Sequence, residues 1–247
     1  MTVRFRPTRD LAAVAASWLL VVGAIYTATV IVRAEAGGGL PYFGLYAVLG
    51  ATVFGVGIPV YWTVVVRRRP LDDLGLTRRR LGLSLMLQAF FAGLQFMATL
   101  ARMELPPMSQ LLPLVALALA IGFFEAVFWR GWVLLRLEDS FGTIPAVLLG
   151  SALYAAYHVG YAMPLSEMVF LFFVGIMFAV AFLLTRNVLI LWPAFQPMGQ
   201  LVTLIREGLQ LPVMSSLGFI DVLVVMFVFV GLGVRYRRRH DVEALES

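Results

Sequence analysis

Eight long apolar runs, separated by short charged or Pro/Gly-rich segments, constrain this chain more than any other feature. Each run approaches or exceeds the roughly 20 apolar residues that a helix needs to cross a bilayer. We predict membrane-spanning helices over 11–32, 41–66, 82–101, 112–136, 143–162, 165–184, 187–205 and 217–234. The predicted fold class is therefore all-α, a polytopic integral membrane bundle of about eight helices.

The composition indicates that the folded chain is surrounded by a lipid bilayer and not by water. Hydrophobic residues make up 61% of the chain and charged residues 13%, whereas soluble proteins carry about 25% charged residues. We predict one transmembrane domain over 1–247, with a basic C-terminal tail at 235–247. The first apolar run is longer than the roughly 7–15 residues of a signal-peptide core, so we expect it to remain as a helix.

The arginines predict the orientation of the bundle. All 19 basic residues are arginine. Most lie in the terminal segments and in alternate loops, which share one side of the membrane if each apolar run crosses it. An excess of basic residues marks the cytoplasmic side. The arginine-rich side holds Arg4, Arg6, Arg9, Arg67, Arg68, Arg69, Arg78, Arg79, Arg80, Arg136, Arg186, Arg235, Arg237, Arg238 and Arg239. The other side holds Arg33, Arg102 and Arg206. We therefore predict cytoplasmic termini, a bacterial cytoplasmic (inner) membrane and no nucleic-acid partner.

Among the polar residues inside the predicted spans, five are the candidates for chemistry, because a charged or strongly polar group there is costly and usually has a function. They are Glu125 and Arg130 in the fourth span, His158 in the fifth, and Gln196 and Gln200 in the seventh. Structural roles remain open for each: a buried ion pair, a satisfied core histidine and interhelical amide hydrogen bonds. On a regular helix Glu125 and Arg130 lie about 140° apart, so direct pairing requires a distorted helix or long side-chain reach.

Together these residue types are suited to hydrolysis. A carboxylate can act as a general base that activates water, and an imidazole can orient that water or donate a proton. Amide N–H groups at positions 196 and 200 can stabilise a tetrahedral oxyanion. This chemistry predicts a catalytic pair of Glu125 and His158, with Gln196 and Gln200 as oxyanion or substrate-binding donors.

The same residues resemble the motifs of the CPBP intramembrane proteases, named for CAAX proteases and bacteriocin-processing enzymes and also called the Abi family. The family patterns E-E-x-x-x-R, F-x-x-x-H, F-x-x-G and H-x-x-x-N follow one another in order. The corresponding segments here are Glu125 to Gly131, Tyr154 to His158, Phe172 to Gly175, and Gln196 to Gln200 after Leu191-Trp192-Pro193. A Leu74-Gly75-Leu76 run also resembles these proteins, and the family-like core extends over about 70–205.

The resemblance implies a glutamate-type endopeptidase that hydrolyses a membrane-associated peptide or protein. Glu125 would activate water with His158 as its partner, and Arg130 and Tyr154 would support them. The chain departs from the family pattern at three positions. Ala126 replaces the second glutamate, Gln196 replaces a histidine and Gln200 replaces an asparagine.

These departures leave alternatives open. A catalytically inactive family member could act as a membrane scaffold or regulator, and a small transporter is a third interpretation. The family has been described as metalloproteases, but only Glu125 and His158 are suitable ligands here, whereas a catalytic zinc normally has three. We therefore expect no metal and no cofactor. The sequence predicts nothing about the oligomeric state.

Overall fold

The computed structural model describes residues 8–32 and 39–246 of the chain. Seven of its helices are long and apolar enough to cross a membrane, and no strand occurs among the described residues. They are α1 (Arg9–Ile31), α2 (Gly39–Val66), α3 (Leu81–Arg102), α4 (Met108–Phe141), α5 (Thr143–Tyr161), α6 (Leu165–Thr185) and α8 (Ser215–Glu246), with a shorter α7 (Phe195–Arg206) between the last two. The predicted all-α polytopic bundle is confirmed. Arg4, Arg6 and Arg33, which contributed to the charge count, lie outside the described residues.

The segment predicted as one span over 187–205 is not a continuous helix. It begins with a 3₁₀ turn at Val188–Ile190, continues through Pro193, and becomes helical only at Phe195. Proline lacks an amide hydrogen and interrupts a helix, which explains the late start. With 12 residues, α7 is about 18 Å long, against roughly 30 Å of hydrocarbon.

The composite segment nevertheless crosses the bundle. Arg186, just before it, pairs with Glu138 at one face (2.8 Å). Glu207, just after it, interacts electrostatically with Glu167 near the start of α6, at the opposite end. The described residues therefore cross the bundle eight times, with seven long helices and one composite segment.

Polar groups from neighbouring helices satisfy the irregular part of this crossing. Gln88 in α3 donates from its amide to the carbonyl of Leu189 (2.8 Å). The indole of Trp192 donates to the carbonyl of Leu119 in α4 (3.0 Å). Irregular backbone at membrane depth is tolerated only where protein or a water-filled cavity covers it, and these contacts provide that cover.

The arginine-rich ends of the helices gather at one face, which we call the arginine face. Asp10 at the start of α1 pairs with Arg67 after α2 (3.0 Å), and Arg136 in α4 pairs with Asp139 (3.0 Å). Arg237 in α8 donates to the backbone carbonyl of a neighbouring arginine in the 67–80 loop. The beginning of α1 and the C-terminal part of α8 therefore lie on the same face of the bundle.

Helix α4 is the central element, since every residue from 120 to 137 is buried. Its long apolar surface is covered on all sides by the other helices. Gly131 permits the closest approach, because a Cβ atom at this position would lie 2.1 Å from the carbonyl oxygen of Leu74. The glycine after the motif arginine therefore has a packing reason: it lets the 3₁₀ turn Leu71–Leu74 lie against α4.

Candidate active site

The carboxylate of Glu125 lies in the middle of α4 and is buried, with 1% of the residue exposed. Its Oε2 atom accepts hydrogen bonds from the amides of Gln196 (2.6 Å) and Gln200 (3.0 Å). Its Oε1 atom accepts a hydrogen bond from the hydroxyl of Tyr157. All three partners are donors, an arrangement that suits an ionised carboxylate, which only accepts.

Close packing of α7 against α4 brings the two glutamines to this carboxylate. A Cβ atom at Gly122 would lie 2.6 Å from Cγ of Pro197, so only glycine lets the helices meet at this distance. Gln196 and Gln200 are four residues apart and occupy one face of α7. The structure thus joins Glu125, Gln196 and Gln200 in one hydrogen-bonded group.

Tyr157 is a site residue that the sequence reasoning missed. It is the first residue of a 3₁₀ turn, Tyr157–Tyr161, that ends α5, and its ring contacts Trp129 with centroids 4.9 Å apart. The family motif draws attention to the following histidine instead. The signal that could have found it is a tyrosine within a span, since a buried tyrosine hydroxyl usually needs a hydrogen-bond partner.

His158 lies behind Tyr157 rather than beside the carboxylate. Its ring centroid is 4.2 Å from that of Tyr157, and its Nδ1 is 2.9 Å from the carbonyl oxygen of Tyr154. The hydrogen bonds of the described part of the chain include no direct bond between His158 and Glu125. Because a carbonyl only accepts, Nδ1 carries the hydrogen, and Nε2 of the neutral ring is an acceptor.

Arg130 lies on the arginine-face side of the Glu125 carboxylate, and its position depends on a change in the helical winding of α4. Residues Ala126–Leu134 form a π-helix, in which hydrogen bonds link residues five apart, so Arg130 lies closer to the Glu125 side than a regular α-helix would allow. Its Cζ atom lies 5.1 Å from the ring centroid of Tyr154 and 6.0 Å from that of Phe178. Arg130 interacts with Glu125 electrostatically but forms no hydrogen bond to it.

Unused hydrogen-bonding capacity remains around the carboxylate. Each of the two glutamine amides has a second N–H in addition to the one that faces Glu125. The side-chain oxygen of Gln196 is buried and has no protein partner. Gln200 is only partly buried, so its end of the site is nearest to the surface of the bundle. A polar substrate group or water can satisfy these atoms.

The donor set does not suit a catalytic zinc ion. Within the described residues, no three histidine or carboxylate side chains lie close enough together to hold a metal. The carboxylate of Glu125 is surrounded by amides and a phenol, which are poor zinc ligands compared with histidine, cysteine or a second carboxylate.

The fold and the site together define a class of protein. It is an α-helical membrane bundle with a buried carboxylate that accepts hydrogen bonds from a tyrosine and two side-chain amides. Residues 106–195 match the model of a family described as Type II CAAX prenyl endopeptidase Rce1-like. The matched segment contains Glu125, Arg130, Tyr154 and His158, and it ends one residue before Gln196. Curated proteins and solved structures give no significant match.

The family match confirms the resemblance to the CAAX proteases that the motifs indicate. It supports a CAAX-type intramembrane endopeptidase at the level of the family and implies a membrane-associated peptide or protein as substrate. The long apolar helices and this family together identify an integral membrane protein.

Proposed function

We propose that this chain is an intramembrane endopeptidase in which Glu125 is the general base. The observation that carries the proposal is the placement of this carboxylate, buried in the central helix and fixed by donors from α5 and α7. A buried carboxylate at membrane depth is costly, and its retention indicates a function. The family match to the surrounding segment supports peptide-bond hydrolysis as that function.

In the proposed reaction, Glu125 takes a proton from a water molecule as the water oxygen attacks the scissile carbonyl carbon. The second N–H groups of Gln196 and Gln200 donate to the oxyanion that forms. Collapse of the tetrahedral intermediate breaks the C–N bond, and the proton held by Glu125 passes to the leaving amine. His158 offers Nε2 as a second acceptor that can orient the attacking water.

The departures from the family pattern define the role of each glutamine more closely. An amide cannot transfer a proton, so in this chain Gln196 can act on substrate only through hydrogen bonds, which its N–H groups donate and its side-chain oxygen accepts. Arg130 contributes positive charge below the carboxylate, and Tyr154 holds His158 through its backbone carbonyl. Proton transfer in this proposal therefore rests on Glu125.

We also propose an orientation and a source for the protein from the distribution of its arginines. With the arginine face in the cytoplasm, the chain satisfies the rule that basic residues flank spans on that side. The short loops and the use of arginine alone as basic residue favour a bacterial inner-membrane protein. A reporter fused after position 246 and a cysteine-labelling experiment at the 102–107 loop would test this orientation.

The experiment is cleavage of a membrane-anchored peptide by the purified full-length protein in lipid. Glu125→Gln is nearly isosteric, and its amide oxygen can still accept from the glutamines while Tyr157 rotates to accept from its nitrogen. We expect this variant to fold and to lose cleavage. Glu104→Gln, at an exposed carboxylate outside the site, is the matched control and should cleave normally. Cleavage by Glu125→Gln at the wild-type rate would contradict the proposal.

A second function is favoured by the three hydrogen bonds that already occupy Glu125. In a catalytically inactive family member, the same contacts would fix α4, α5 and α7 together as a scaffold for a partner protein. This interpretation expects Glu125→Gln and His158→Ala to bind the partner and function normally. Loss of function in variants that still fold and bind would exclude it.

A further inference from the structure

A groove separate from the Glu125 site opens at the arginine face. It has a volume of about 540 Å³, which lies within the roughly 300–1,000 Å³ of small-molecule sites. It is bounded by the 72–79 loop, the 187–192 part of the composite crossing, α4 and α8. Its wall is apolar and aromatic, and its mouth carries Arg78 and Arg79 beside Asp72.

Three aromatic rings form the wall and pack on each other. Phe123 contacts Trp192 with centroids 5.3 Å apart and Phe227 with centroids 4.7 Å apart. Phe123 precedes Glu125 by two residues, so on a helix the two side chains leave α4 in different directions. Phe227 is 40% exposed on α8, so the groove is open toward the lipid side of the bundle.

The mouth of the groove has positive charge that the protein does not neutralise completely. Among the described residues, ion pairs engage Arg67, Arg69, Arg136 and Arg186, but neither Arg78 nor Arg79. Both of these side chains are exposed. The third charged residue, Asp72, accepts a hydrogen bond from the hydroxyl of Thr77 (2.9 Å). Two arginines and one aspartate leave a net positive mouth.

The mouth has a fixed position because the composite crossing holds its loop. The side-chain amide of Asn187 donates to the carbonyls of Thr77 (2.8 Å) and Arg79 (3.1 Å). The backbone N–H of Val188 donates to the carbonyl of Gly75 (3.0 Å). The arginines are therefore presented from an ordered backbone directly above the aromatic wall.

We propose that this groove binds an anionic phospholipid of the leaflet that adjoins the arginine face. The phosphate lies between Arg78 and Arg79, since guanidinium groups bind phosphate oxygens with charge-assisted hydrogen bonds. One acyl chain lies along Phe123, Trp192 and Phe227. Basic pockets between transmembrane helices bind acidic headgroups in this way. A zwitterionic lipid fits the apolar wall but provides no net charge for the mouth.

The test uses the purified full-length protein and measures retained lipid by native mass spectrometry. Phosphatidylglycerol and phosphatidylcholine with identical acyl chains are the two probes. We expect the wild type to retain phosphatidylglycerol, and the Arg78→Gln/Arg79→Gln double variant to lose about thirtyfold in that affinity. Arg102→Gln/Arg206→Gln, on the opposite face, is the matched control and should retain it as the wild type does.

A second variant tests the apolar part of the site. Val230→Trp places a large side chain in the groove and leaves both arginines in place, so it should reduce retention of both lipids. Equal retention of the two lipids by the wild type would overturn the proposal. Unchanged retention by the double arginine variant would overturn it as well. Peptide cleavage is not the readout, so these outcomes are independent of the proposed protease activity.

Discussion

Replacement of Tyr157 by phenylalanine removes one hydroxyl from the site and little else. The phenyl ring keeps its contacts with Trp129 and His158, whose centroids lie 4.9 Å and 4.2 Å from that of Tyr157. The lost interaction is the hydrogen bond to Oε1 of Glu125. Hydrogen bonds to charged groups contribute about 1.5–3 kcal/mol, whereas interhelical polar contacts in membranes average about 0.6 kcal/mol and reach about 1.7 kcal/mol.

The two ranges overlap at about 1.5 kcal/mol. We therefore expect the free energy of unfolding to fall by this amount in Tyr157→Phe. We also expect kcat to fall between about tenfold and a hundredfold, because small displacements of a catalytic group are costly. The assays are equilibrium unfolding in detergent and peptide cleavage in lipid. Tyr161→Phe is the comparison within the same cluster, since its hydroxyl donates to that of Tyr46 (3.2 Å) and not to Glu125, and its loss should cost about 0.6 kcal/mol. Wild-type stability and activity in Tyr157→Phe would refute this account of how Glu125 is held.

Three further substitutions test the packing around the site. Gly122→Ala should separate α7 from α4 at Pro197 and lower both stability and cleavage, and normal values for both would contradict the close approach. Gly131→Ala should lower the stability of the fold by about 1–3 kcal/mol, because the added Cβ atom would clash with the backbone of Leu74. Thermal unfolding measures this loss. Asn187→Ala removes two hydrogen bonds to the 67–80 loop, so proteolysis of that loop in folded protein should become faster. An unchanged digestion rate would show that the loop does not need these hydrogen bonds.

The sequence predicted the long helices well because a bilayer imposes one simple condition on each of them. Apolar length alone identifies a span, and the seven long helices follow the predicted runs closely. The segment 187–205 differed because its apolar content says nothing about where a helix can begin. Pro193 delays that beginning, and polar groups such as Gln88 take over the backbone bonds that a full helix would have supplied.

The site was predicted in part, for a related reason. The cost of polar groups in hydrocarbon identified Glu125, Gln196 and Gln200, and the structure shows that these three are in contact. The relation between His158 and Glu125 depends on the 3₁₀ turn that ends α5, which presents Tyr157 to the carboxylate instead. The position of Arg130 depends on the π-helical winding of α4. Neither local distortion has a clear signal in residue spacing.

The short α7 has a consequence for the membrane itself. The crossing that contains α7 has a helical part of about 18 Å against a hydrocarbon layer of about 30 Å, and its irregular first part is covered by α3 and α4. Bilayers adapt to a short lipid-facing helix by thinning locally. Headgroups and their water then lie closer to the middle of the protein beside α7 than beside the longer helices. Gln200 is on this helix and is only partly buried. We expect the thinned region to supply water to the end of the site where the proposed hydrolysis would consume it.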